Sequence, residues 1–240
     1  MNKSKGSPGD SLQSQLARSV AEWLSGVSLL RQLLCRTAGM LLISLSSACV
    51  STSEPVIGVN AADPIPLVDG YYAMSLRSIV DKSPSVDEEM RFLRTFGPGT
   101  SFWHEAGEVD LPNIVAVKRL DAQHYLMQYG QPDATRRATM ILKVADSGKS
   151  AQIMAATCMD DAVVATFSRY GMRASGTKGD CELSNASLER LIGAYSALLR
   201  QPQVDWKLAD LRWLPPEEGK RRFNEEEKAV GQQLRERRGR

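Results

Sequence analysis

The chain has 240 residues, of which 42% are hydrophobic and 24% charged, and its formal net charge is +2. Five of the 30 basic residues and two of the 28 acidic ones precede Cys49, so the remainder is almost neutral, at about −1. That balance excludes the basic stripe with which nucleic-acid binders neutralise phosphates, and the length predicts one domain with a tail.

Residues 1–26 form a long polar leader, followed by Arg31 and Arg36 and then an apolar stretch over residues 37–48. A bilayer-spanning helix needs about 20 mainly apolar residues, so this stretch is short for a span. Basic residues, a short apolar run and small residues in that order are the layout of a secretory signal peptide. An uncleaved anchor from Trp23 to Val50 would bury Arg31 and Arg36, at about 2.5–3.5 kcal/mol each. A core helix is opposed by the serine-rich end "SLSSACVSTS", since serine competes for backbone hydrogen bonds. The stretch Leu45-Ser46-Ser47-Ala48-Cys49 resembles the lipobox of bacterial lipoproteins. The resemblance implies cleavage before Cys49, lipid on its thiol, and a domain held at the cell envelope facing the periplasm. Val50 is not the aspartate that retains such proteins at the inner membrane, which favours the outer membrane.

Residues 49–68, rich in Ser, Pro and small side chains, read as a flexible tether, and residues 69–202 as a globular α+β domain. "GYYAMSL" is a predicted strand. "SPSVDEEMRFLRTF" reads as a short helix, with Ser85 and Glu88 at capping-box spacing and Met90, Leu93 and Phe96 toward a core. Four or five strands are then expected among "NIVAVKR", "QHYLMQY", "RATMILKVA", "AQIMAATCM" and "AVVATFSRYG", separated by turn residues such as Asp146-Ser147-Gly148-Lys149. Short links favour antiparallel neighbours, and the half-hydrophobic faces predict a curved sheet or small barrel-like meander. With Cys35 removed and Cys49 acylated, Cys158 and Cys181 remain, and in an exported chain such a pair reads as a disulfide; without export they are two buried thiols. A helix capped by Ser184 or Asn185 follows, with Leu188, Leu191, Ile192, Tyr195, Leu198 and Leu199 on one stripe, and Pro202 closes it. Residues 203–240 hold ten basic and eight acidic residues and are expected as a charged tail, helical or partly disordered beyond Pro215-Pro216. Within it Trp206, Trp213, Arg235, Arg237, Arg238 and Arg240 are candidate partner-binding residues.

No G-x-S-x-G, Walker loop, G-x-G-x-x-G or H-E-x-x-H occurs. The one polar cluster with catalytic residue types is "WHEAGEVD", holding His104, Glu105, Glu108 and Asp110, which reads as a hydrated loop before a strand. No catalytic residue, metal site or cofactor is therefore expected. A binding or scaffolding module meeting an envelope protein or cell-wall partner is the first functional reading. The alternative rests on Gly70-Tyr71-Tyr72-Ala73, a meander and a C-terminal helix, which together resemble lipocalins, with Tyr72 where their G-x-W motif has tryptophan. That resemblance implies a carrier of a small apolar ligand.

Overall fold

The computed structural model describes residues 50–58, 60–77, 84–96, 99–106, 113–176 and 181–238. Residues 1–49, with the signal segment and Cys49, lie outside them, as do Glu108, Asp110 and Arg240. The chain begins with β1 (Val50–Thr52), then runs through β2 (Gly70–Arg77), β3 (Pro84–Thr95), β4 (Ser101–Glu105), β5 (Asn113–Arg119), β6 (His124–Gly130), β7 (Arg137–Ala145) and β8 (Ser150–Ala155). Helix α1 (Asp161–Arg169), β9 (Arg173–Ser175), β10 (Cys181–Ser184), α2 (Leu188–Leu199), β11 (Lys207–Leu214) and α3 (Pro216–Arg238) complete it.

Strands β2 to β8 pair antiparallel in sequence order, and β11 closes the ring between β8 and β2. A closed ring leaves no edge for another chain to pair with. Strand β1 attaches to the first half of β7, at Arg137–Thr139, and carries β10 parallel on its other side, with β9 outermost.

Alternation of side chains fills the ring. Tyr72 and Met74, Leu93, Trp103, Val115 and Val117, Met127, Met140 and Leu142, Ala151 and Ile153, and Ala209 and Leu211 form one buried cluster with contributions from all eight barrel strands. One end is closed by the segment before β2. Leu67 joins the interior cluster, Asp63 bridges to Val117 on β5, and the Tyr72 hydroxyl donates to Val68 O at 2.7 Å and Gly148 O at 2.9 Å. Gly148, in the β7–β8 turn, has φ +79°, and a Cβ there would stand 2.4 Å from Pro66 O, so only glycine lets the plug seat.

Two layers cover the outside. Helices α1 and α2 place Val163, Phe167, Leu191, Tyr195 and Leu198 on Ala116, Leu126 and Ile141, and the Tyr195 hydroxyl donates to Thr139 O at 2.8 Å. Helix α3 sets Phe223 among Ala73, Met90 and Leu214. Each such large buried side chain contributes about 1.5–3 kcal/mol.

The α+β class and the barrel-like sheet agree with the sequence reading, whereas several elements differ. The segment read as a Ser85-capped helix is strand β3, because it is sandwiched between β2 and β4 and its two faces meet the barrel interior and α3. "AVVATFSRYG" is helix α1, not a strand: Asp160 caps it, accepting from Ala162 N, and Val163, Thr166 and Phe167 fall on one buried face. The cap of α2 is Ser187, since Ser184 ends β10. Residues 50–57, expected within a tether, pack on the barrel, Val56 and Ile57 donating their N–H groups to Gln128 Oε1. Lys207–Leu214, expected in the tail, is a barrel strand. Among the described residues no helix is long and apolar enough to cross a membrane.

Candidate functional site

Three regions collect the residues with chemical or recognition potential. The first lies inside the barrel, at the end opposite the plug. Arg91 on β3 and Glu105 on β4 are register partners and so share a face, which is the inner one. Arg91 is only 2% exposed; it pairs with Glu89 and, at 3.7 Å, with Glu105, whose carboxylate also accepts from the Tyr129 hydroxyl. A buried cation is tolerated only when paired in this way. From outside, Glu226 of α3 accepts from Met90 N at 2.9 Å, where β4 has ended and that N–H lacks a strand partner. Burial pushes the Glu226 carboxyl above its usual range, against the opposing effects of the Met90 N–H and Arg91.

Alternation divides the "WHEAGEVD" residues. Its start, read as a hydrated loop, is strand β4. Glu105 faces inward, whereas His104 faces out and lies 5.7 Å from the Phe223 ring. The two therefore cannot act on one substrate atom. His124 sits at the opposite end of the barrel, its Nδ1 2.9 Å from Asp121 in the β5–β6 turn. Among the described residues no group of three or more His, Cys, Asp or Glu is placed to hold a metal ion.

The second region is the rim of the plugged end. Trp213 is half-buried, with Lys149 Nζ 4.8 Å above its ring and its Nε1–H donating to Asp69 O at 3.4 Å. Asp69 also accepts from Thr95, next to Phe96, which is 49% exposed under Arg94. The third region surrounds the Cys158–Cys181 disulfide, whose Cα atoms are 5.8 Å apart. It includes Trp206, packed against the α1–α2 layer, and exposed Met159.

The sequence-predicted recognition residues are thus dispersed. Trp206 precedes the first residue of β11 and Trp213 is its penultimate residue, so the two lie at opposite ends of the strand. Arg235 is on the outer half of α3, donating to Gly231 O, and Arg237 and Arg238 lie in its last turn. Sequence reasoning missed Arg91, because only the strand assignment of its segment turns it inward. No protein-family model, curated protein or solved structure matches this chain.

Proposed function

We propose that the chain is an envelope lipoprotein, acylated at Cys49 and favoured at the outer membrane, whose domain is a binding or scaffolding module for an envelope protein or cell-wall partner. In this reading it binds through its surface and turns nothing over. The observation that carries it is the burial of the side chains that face the barrel interior. Among the inward-facing residues Tyr72, Leu93, Val117 and Leu142 are at 0% exposure, Met127 and Trp103 at 2% and 3%, and Ile153, Met140 and Ala151 at 5–7%. An eight-stranded barrel is wide enough either for side chains or for one small ligand, and large inward side chains such as Tyr72, Trp103 and Met127 support the first. The disulfide supports the oxidising compartment that export supplies.

The lipocalin-like carrier is the second reading, and the closed antiparallel ring is what favours it. Titration of the purified protein with an apolar fluorescent probe separates the two. The native protein is expected to leave the probe dark, and saturable micromolar uptake, competed by a fatty acid, would overturn the surface-binding reading in favour of the carrier.

A further inference from the structure

Val50, the first residue of β1, is 0% exposed, and its register partners are Thr139 on β7 and Cys181 on β10. Its carbonyl accepts from Thr139 Oγ1 at 3.0 Å, and Ser51 Oγ donates to Cys181 O at 3.1 Å. Val50, the residue that follows the candidate acylation site, is thus held in the fold by strand pairing on both sides. The disulfide ties this strand start to the loop that carries Met159. Met159 is 62% exposed, more than any other large apolar side chain among the described residues. Its neighbour Asp160 accepts from Asp205 N at 3.4 Å, which brings Trp206 alongside. The start of β1, the bridge, Met159 and Trp206 thus form one neighbourhood.

We infer that this patch is the surface on which the domain rests against the bilayer, with Met159 and Trp206 entering the headgroup layer beside the acyl chains of Cys49. The inference rests on the acylation proposed above and specifies the orientation that acylation imposes. A long flexible tether would decouple the domain from the membrane, whereas one intervening peptide bond holds whatever surrounds Val50 at the lipid. Tryptophan is the residue whose amphipathic ring suits that layer, and an apolar side chain there is withdrawn from water. The nearby carboxylate of Asp160 is occupied in capping α1, accepting from Ala162 N at 2.8 Å. Contact is made through these apolar side chains. Acyl chain and patch act as two linked attachments, each raising the effective concentration of the other.

The test uses the full chain made in a bacterial host, extracted and reconstituted into phosphatidylcholine vesicles whose acyl chains are brominated near the headgroup. Tryptophan emission should fall relative to unbrominated vesicles. Trp206→Phe should remove most of that fall, and Trp213→Phe should leave it. Met159→Glu, at an exposed position that does not threaten folding, should reduce the quenching several-fold. If mass spectrometry finds acyl groups on Cys49 but quenching ignores both Trp206→Phe and Met159→Glu, the orientation is wrong and the anchor stands. An unmodified Cys49 overturns the anchor and this inference together.

Discussion

Arg91 shows how a single side chain acquires its character from its neighbours across strands. Its sequence context, "EEMRFLR", is that of a surface helix, but register with Tyr72 and Glu105 turns it into the barrel. Nothing local announces this, since one carboxylate partner, Glu105, is on the next strand and Tyr129 is two strands further on. Glu226 carries the clearest consequence for pH. Burial raises its folded-state pKa, so the folded protein holds this proton more tightly than the unfolded chain does, and its contribution to stability falls as pH rises from the ordinary glutamate value through the raised one. Glu226→Gln keeps an acceptor for Met90 N–H and removes the charge. The variant should therefore gain stability relative to the native protein as pH increases over that window, read as melting temperature from acid to neutral pH. Asp63 has the opposite sign: the Arg119 N–H, bonded at 2.7 Å, with Lys118 beside it holds its carboxyl below the usual range. Its contribution is present above the ordinary aspartate value and is lost as pH falls through the lowered one.

Among the elements, β5 and β7 were legible to the residue from β-branched composition and flanking turns, while β3 was not. Met90, Leu93 and Phe96 satisfy a helical spacing, and both faces of the strand are covered, so the period-two signal that marks a half-exposed strand is weak. Helix α1 erred in the opposite direction: Val163, Val164 and Thr166 favour a strand in isolation, and tertiary packing of Val163 and Phe167 against Tyr195 overrides them. The cysteine pair was legible because it needed only an even count and the reading of the chain as exported. It closes a loop of sequence separation 23 between the end of β8 and β10, worth about 3 kcal/mol in the chain-entropy model. Cys181→Ser, or reductant, should lower the melting temperature by roughly 6–12 °C, given about 2–4 °C per kcal/mol for a domain of this size. Scanning calorimetry with and without reductant checks it, and an unchanged transition would mean that the bridge constrains nothing in the unfolded chain.

At the scale of the whole molecule, a barrel-like sheet could be anticipated, and the strand that completes it could not. "KLADLRWL" is charged and irregular by composition, and only its register with Ala73 and Leu76 on one side and Ile153 on the other makes it a wall of the barrel. A chain ending at Pro202 should accordingly fail to fold, losing cooperative unfolding and binding hydrophobic dyes. One ending after Arg235 keeps β11 and the packed half of α3, and should melt as the full chain does. Strand β11 also sets a timetable. Until residue 214 is available, β2 and β8 have no common neighbour and the sheet is an open ribbon with two raw edges. An emerging chain therefore cannot complete its barrel early. Under the export proposed above, a closing strand placed this late keeps the polypeptide unfolded and translocation-competent until residue 214 is made, and exposes those same edges to aggregation wherever export stalls.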